Sequence, residues 1–185
     1  TFDKPVTASG KLSASGRDAG YVKFDTTGDK TVTMRIATSL IGVDQARRNL
    51  ALEIAPTDTF DAVEARAQQQ WDRKLGVIEV EGATDDQLTT LYSNLYRLNL
   101  YPNSAFENTG TAATPVYMHA VQSSSSFEIP AGTTTTQTGA PVVPGKVYVN
   151  NGFWDTYRTI WSAYSLLYPS DAAELVNGFV QQYRD

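Results

Sequence analysis

The sequence predicts an α+β fold in which a strand-rich first part is followed by a run of helices. Between residues 20 and 38 apolar and polar residues alternate with period two, which is typical of half-buried strands. Over residues 60–75 and 88–98 apolar residues recur at three- and four-residue steps, which predicts amphipathic helices. Because the strands precede the helices along the chain, we expect a β domain followed by an α domain.

The first part of the chain carries two β-prone runs, residues 21–24 and 31–36. Turn-forming residues at 25–30 separate them, so we expect the two runs to form an antiparallel hairpin. Residues 6–12 are expected to add an edge strand. Three strands are too few to bury both faces of a sandwich, and we therefore expect them to belong to a larger sheet.

Five helices are predicted from apolar periodicity and from start and stop signals, near residues 43–53, 59–75, 84–98, 153–168 and 170–183. Asp58 or Thr59 is the expected N-cap of the second helix, which we interpret as the connector between the two domains. Thr84 and Gln87 have the spacing of a capping box at the start of the third helix.

The remaining segments are expected to be short strands and one long loop. Residues 77–82 are β-prone and predict a short strand. Residues 103–147 include runs of four serines and four threonines, and loops of this length are more often functional or mobile than inert. Within and beside this loop, residues 116–119 and 146–149 are expected to pair and to bring Asn150 back toward the fourth helix.

Composition and charge narrow the classes of function. The 185 residues are 41% hydrophobic and 19% charged, which is typical of a globular protein rather than a disordered one. A formal charge of -5 without a basic run argues against a nucleic-acid partner. No apolar run is long enough to cross a bilayer, so no membrane partner is expected. Frequent Thr, Ser, Gly and Tyr with little Lys suggest an exported bacterial protein, secreted or extracellular.

Few residues carry the signature of a catalytic or metal site. His119 is the only histidine and cysteine is absent, which excludes a multi-histidine metal centre and any thiolate site. As a general base His119 has no marked nucleophile partner, so an ordinary loop histidine is the favoured interpretation. No two carboxylates have the spacing of an acid and base pair. The pattern of these residues alone therefore marks neither a catalytic pair nor a metal site.

The densest aromatic cluster lies at Trp154, Asp155, Tyr157 and Arg158. One interpretation is core packing, with Asp155 favoured by the dipole at the start of a helix. The other is a sugar site, because the C–H face of a pyranose stacks on an aromatic ring while a carboxylate accepts hydrogen bonds from its hydroxyls. Flanked by Trp154 and Tyr157, Asp155 is expected to be partly dry.

Three motifs follow one another along the chain at residues 71–87, at residues 91–102 and at Gly152-Phe153-Trp154-Asp155-Thr156-Tyr157-Arg158. In this order they resemble glycoside hydrolase family 92, the calcium-dependent exo-acting α-mannosidases. Residues 38–53 resemble the family as well, and the resemblance covers residues 20–185.

The resemblance implies a two-domain enzyme, in which a β-sandwich is joined by linker helices to an (α/α)6 barrel. Residues 1–57 would then be the C-terminal part of the sandwich, residues 58–76 the linker helix and residues 77–185 the N-terminal part of the catalytic barrel. It also implies hydrolysis of terminal α-linked mannose with inversion and with calcium as cofactor, and the linkage expected to be cleaved is α-1,2. The implied partners are mannose-containing glycans and the remainder of the same enzyme.

By the same resemblance, Trp154 and Asp155 contact the mannose that is cleaved off. The acid, the base and the calcium ligands of the family lie beyond the position of Asp185, so this segment alone is expected to be inactive. Two alternatives stay open, a non-catalytic carbohydrate-binding module and a purely structural helical segment.

Overall fold

The computed structural model describes residues 1–14, 17–121, 128–152 and 154–185. The chain forms two compact units, Thr1–Ala37 and Thr38–Asp185. The first is built from strands and the second from helices with short strands, which confirms the α+β class. The serine run at 123–126 and the predicted helix start at Phe153 lie outside the described residues. The domain boundaries expected at residues 57 and 76 stay predictions.

The first unit contains one antiparallel hairpin, formed by strands β1 (Val6–Ala14) and β2 (Arg17–Phe24). The register runs from Ala14 opposite Arg17 to Val6 opposite Phe24, with an irregularity between Val6 and Ala8. At this irregularity the Thr7 hydroxyl donates to the carbonyl of Lys23 at 3.0 Å. The expectation of a strand near residues 6–12 is therefore confirmed.

The predicted pairing of residues 21–24 with 31–36 is wrong. The intervening segment does not form a tight hairpin turn, because Asp25 accepts from the N–H of Thr27 and Asp29 from the N–H of Thr31, which makes two separate local turns. Residues 31–36 instead contact the first residues of the chain, where Met34 forms an isolated bridge with Phe2.

The second unit carries the helices and the remaining strands. Its helices are α1 (Val43–Glu53), α2 (Phe60–Leu75), α3 (Asp85–Leu98), α4 (Ile160–Leu167) and α5 (Pro169–Arg184). Its strands are β3 (Asn103–Ser104), β4 (Glu107–Asn108), β5 (Tyr117–Ala120), β6 (Val142–Pro144) and β7 (Tyr148–Val149). A 3-10 turn, Trp154–Arg158, precedes α4.

The starts of α2 and α3 are set by the predicted caps. Thr59 rather than Asp58 is the N-cap of α2, and its hydroxyl accepts from the N–H of Ala62 at 3.2 Å. At α3 the Thr84 hydroxyl accepts from the N–H of Gln87 at 3.3 Å, and the Gln87 side chain accepts from the N–H of Thr84 at 2.9 Å. The capping box is thus confirmed.

We expect Thr84→Ala to lower the free energy of unfolding by about 1 kcal/mol, because the N–H of Gln87 loses its partner at the exposed helix end. Thr89→Ala is the matched control, since Thr89 is exposed within α3 and its change to alanine leaves the cap intact. Chemical denaturation of both variants measures the difference. Equal stability of the two variants would mean that the capping box contributes little here.

The core of the second unit lies between α3, α4 and α5. Leu95, Tyr164 and Tyr168 are buried. Partly buried residues packed against them are Leu75, Ile78, Tyr92, Leu98, Ile160, Trp161, Leu167, Ala172 and Leu175. The apolar faces predicted for α3 and α5 therefore pack in one core together with α4.

The two extended pieces of the long loop do not pair with each other, and the prediction that they would is wrong. Strand β5 lies between β4 and β6, whereas β7 pairs with β3. The physical reason is β6, a strand absent from the prediction, which takes the edge of β5 through His119 opposite Val143. The end of the loop is nevertheless held in place, because β7 pairs with β3 and is followed directly by Asn150.

The strand predicted at residues 77–82 is also wrong. Gly76 caps the end of α2, and Gly82 has a φ of 75°, so the segment is bounded by turns. The carbonyl of Ile78 accepts from the Tyr92 hydroxyl at 2.8 Å, which ties the segment to α3 rather than to a neighbouring strand.

Candidate functional site

The segment before the aromatic cluster is held by the β3–β7 pair. After β7 the chain turns at Asn150, which has a φ of 59°, a region that asparagine tolerates better than most residues. The side-chain amide of Asn150 donates to the side-chain oxygen of Asn103 at 2.8 Å, and the N–H of Gly152 donates to the carbonyl of Asn150 at 2.9 Å. These bonds hold the described segment that precedes the Trp154–Arg158 turn.

The continuous helix predicted for residues 153–168 is divided into the 3-10 turn Trp154–Arg158 and helix α4. Thr159 separates them, because its φ of -123° and ψ of -90° are not helical. The Thr159 hydroxyl donates to the carbonyl of Asp155 at 3.1 Å, which stabilises the turn on its C-terminal side.

The side chains of the turn are open to solvent. Trp154 is 70% exposed and Tyr157 is 63% exposed, so neither ring belongs to the core of this chain. Asp155 is exposed as well, and the expectation that it is partly dry is wrong. A five-residue turn on the surface cannot enclose a carboxylate between its own aromatic neighbours; the turn presents the indole and the carboxylate together at the surface.

Arg158 links the two aromatic rings of the turn. Its guanidinium carbon lies 5.2 Å from the ring centroid of Trp154 and 5.3 Å from that of Tyr157. Both distances are within the range of a cation–π contact. The short spacing of the three residues along a tight turn brings these side chains to the same side.

A cleft of about 300 Å³ lies beside the turn. It is lined by Tyr101, Pro102, Asn150, Asn151, Gly152, Thr156, Ile160 and Tyr164. The Tyr164 hydroxyl shares its one proton between the carbonyls of Leu98 and Tyr101, and burial raises the pKa of Tyr164 to about 12. No sequence signal marks Tyr101 as a cleft residue, because it lies far before the turn along the chain and reaches the cleft only through the fold.

A polar network lies on the other side of Tyr164, around a smaller cavity of about 190 Å³ that is lined by residues of α2, β7 and α5. Glu174 accepts hydrogen bonds from the Tyr148 hydroxyl and from Lys146, and Lys74 forms an ion pair with Asp171. The bond from Tyr148, followed by that from Lys146, lowers the pKa of Glu174. Burial, followed by the bond to Glu174, raises the pKa of Tyr148. The network joins β7 to α5.

The lowered pKa of Glu174 predicts a pH effect on stability. A carboxyl whose pKa is lower in the folded than in the unfolded chain contributes stability above its ordinary value of 4.5 and loses it as the pH falls further. We therefore expect Glu174→Gln to flatten the loss of stability below pH 4.5, whereas Glu64→Gln, at an exposed site on α2, should leave the profile unchanged. Thermal unfolding on either side of this pH measures the effect, and parallel profiles for wild type and Glu174→Gln would contradict it.

His119 is not the loop histidine that the sequence favoured. It lies in β5 with 3% of its surface exposed. Its Nδ1 is 3.1 Å from the carbonyl oxygen of Gly145, and its Nε2 is 3.0 Å from a carboxylate oxygen of Asp185. Both ring nitrogens are therefore engaged within the fold, and the ring does not face the cleft beside the turn.

No group of three or more His, Asp or Glu side chains in the described ranges is placed to hold a metal ion. None of the helices in the described ranges is long and apolar enough to cross a membrane.

Comparison with known proteins identifies the family. Residues 45–185 match the model of the glycosyl hydrolase family 92 catalytic domain. Nine chains of solved structures match as well, among them the family GH92 inverting mannosidase from Bacteroides thetaiotaomicron VPI-5482, with a TM-score of 0.78 and 30% sequence identity. That match covers 99% of this chain and 24% of the other, so this chain spans about a quarter of that relative's length. No curated protein matches.

The family match extends over most of the chain, and it includes most of α1, all of α2 to α5, the cleft and the Trp154–Arg158 turn. The chain therefore belongs to glycosyl hydrolase family 92.

Proposed function

We propose that this chain is part of a glycoside hydrolase that removes terminal α-linked mannose from glycans, with Trp154 and Asp155 in the subsite of the released sugar. The observation that carries the proposal is the pairing of an exposed indole and an exposed carboxylate on one turn of a family 92 chain. The similarity to an inverting mannosidase supports mannose as the sugar.

The chemistry of the two side chains suits this role. An exposed indole offers an apolar face for the C–H groups of a pyranose, and a carboxylate accepts charge-assisted hydrogen bonds from adjacent hydroxyls. These two side chains would hold the mannose, and other groups of the enzyme would cleave its glycosidic bond. Inversion requires an acid and a base roughly 6.5 to 9.5 Å apart with a water between them, and we assign both to parts of the enzyme outside this chain. The isolated chain is therefore expected to bind sugar and not to cleave it.

The architecture of the complete enzyme is part of the same proposal. Residues 1–57 would belong to a β-sandwich, residues 58–76 to a linker helix and residues 77–185 to the first part of an (α/α)6 barrel. Calcium would be held by residues outside this chain, and the enzyme would be exported. The preferred linkage would be α-1,2.

Hydrolysis of α-1,2-mannobiose by the complete enzyme tests the proposal. We expect release of mannose whose first-formed anomer, followed by NMR, is β, because inversion converts an α linkage into a β product. Activity should be lost on treatment with a chelator and return with calcium. Release of α-mannose as the first product, or no hydrolysis of any α-mannoside, would contradict the proposal.

A non-catalytic carbohydrate-binding module is the second candidate. It is favoured by the exposure of Trp154 and Tyr157, because such modules also present aromatic rings to sugars. Calorimetry of the isolated chain with mannose, together with the activity of the complete enzyme, separates the two. Sugar binding by the chain, with no hydrolysis by the complete protein, would favour the module.

A further inference from the structure

We infer that Arg158 is a positioning residue for the sugar subsite, which holds the indole of Trp154 in the orientation that contacts the sugar. The inference rests on the proposed function for the sugar contact, but the contact between Arg158 and the indole stands on the geometry alone. Arg158 is not assigned to the reacting atoms.

The first step of the argument is that burial does not orient Trp154. With 70% of its surface exposed, the indole lacks the close packing that locks buried side chains into one rotamer. A ring that stacks on a sugar must nevertheless present one face in a defined direction, because a mobile ring loses conformational freedom when the sugar binds. Another contact is needed to fix it.

The second step is that Arg158 supplies this contact twice. Its guanidinium is 5.2 Å from the Trp154 centroid and 5.3 Å from the Tyr157 centroid, so a single cation bridges both rings. A planar guanidinium can stack on aromatic faces, which a compact ammonium does less well. Among the described residues Arg158 forms no ion pair that would draw it away from the rings.

The third step is that the backbone fixes the base of this arrangement. The three side chains project from one five-residue turn, which is held in front by the bond from Gly152 to Asn150 and behind by the bond from Thr159 to Asp155. Loss of the guanidinium would therefore free the indole without unfolding the turn.

The test uses the complete enzyme with Arg158→Leu, Arg158→Lys and the control Arg73→Leu, which removes the same charge from an exposed position near the end of α2. We expect Arg158→Leu to raise KM for α-1,2-mannobiose about three- to fivefold, the size expected for an exposed cation–π contact. The value of kcat should change less than KM. Arg158→Lys should restore part of the loss, and Arg73→Leu should match wild type.

A second measurement reports the indole itself. In protein labelled with 5-fluorotryptophan, the 19F resonance missing from Trp154→Phe belongs to Trp154. We expect Arg158→Leu to shift and sharpen this resonance without substrate present, because the ring becomes mobile, whereas Arg73→Leu should not. An unchanged Trp154 resonance in Arg158→Leu overturns the inference.

The remaining outcomes are also decisive. A changed resonance with an unchanged KM overturns the role in sugar binding and points to failure of the proposed function, since Trp154 then does not contact the sugar. A double-mutant cycle with Trp154 distinguishes this positioning role from a direct contact between Arg158 and the sugar. If Arg158 acts through the indole, Arg158→Leu should have little further effect on KM in a Trp154→Ala background, and a full additional loss overturns the inference.

Discussion

Asp155→Ala in the complete enzyme is expected to lower kcat/KM for α-mannosides about 100-fold or more while the protein stays folded. A carboxylate that accepts from two sugar hydroxyls contributes through hydrogen bonds to a charged group, each of which is worth about 1.5–3 kcal/mol. The loss should affect kcat as well as KM if these bonds strengthen as the sugar distorts toward the transition state. Steady-state kinetics with α-1,2-mannobiose measures both.

Folding should be unaffected, because Asp155 is exposed and its backbone carbonyl, rather than its carboxylate, accepts from Thr159. Asp155→Asn keeps the size of the side chain and removes the charge, so it should also be strongly impaired. The matched control is Asp86→Asn, the same substitution at an exposed carboxylate in the first turn of α3, which should retain activity. Full activity of Asp155→Ala would remove the role proposed for this carboxylate.

Features of the chain that depend on neighbouring residues could be predicted from the sequence. The cap at Thr84 was predictable because its hydroxyl and the N–H it binds are three residues apart. The N-cap of α2 was narrowed to Asp58 or Thr59, and the structure selects Thr59. The apolar stripe of α3, with Leu95 buried, follows from the same local periodicity. These signals depend only on residues within a few positions of one another, so they predict the helix regardless of the rest of the fold.

Features that depend on distant residues were missed. The strand pairing of β5 is decided by β6, which lies well beyond β5 along the chain and takes its edge. Residues 77–82 have the composition of a strand, yet among the described residues no strand lies beside them. The Tyr92 hydroxyl instead donates a hydrogen bond to the carbonyl of Ile78. A β-prone run becomes a strand only where a partner edge is available.

The candidate site divides in the same way. Its motif could be recognised in the sequence because Trp154, Asp155 and Arg158 lie close together there. The exposure of these side chains could not be predicted, because it depends on which other parts of the fold cover the turn. Asp155 was expected between two rings that would dry it. In the structure Trp154 and Tyr157 flank Arg158 instead, and the carboxylate stays open. Nearness in sequence alone does not fix the relative orientation of side chains on a turn.

Gly178→Val is expected to destabilise the second unit more than loss of the Thr84 cap does. Gly178 is buried in α5, and a Cβ atom at this position would lie 2.4 Å from Cδ2 and 2.9 Å from Cε2 of the Tyr148 ring. The ring cannot easily move away, because it packs edge-on against Phe106 and its hydroxyl donates a hydrogen bond to Glu174. Overpacking of this kind costs about 1–3 kcal/mol, and we expect about 3 kcal/mol because valine adds a branched side chain where even a Cβ is too close.

The matched control is Asn177→Val, which introduces the same side chain at the exposed neighbouring position of α5. It should change the free energy of unfolding by less than about 0.5 kcal/mol. Chemical denaturation compares the two variants, and similar stabilities would contradict the close approach of α5 to Tyr148. In a Tyr148→Ala background the cost of Gly178→Val should shrink, because the ring that it meets is gone.

The same contact connects stability to the candidate site. Tyr148 begins β7, which pairs with β3 and ends directly before Asn150, the residue that sets the entry to the Trp154–Arg158 turn. A valine at position 178 that displaces the Tyr148 ring should therefore also displace the strand that carries the turn. We expect Gly178→Val to weaken sugar binding even under conditions where the protein remains folded, whereas a purely local effect on α5 would leave binding unchanged.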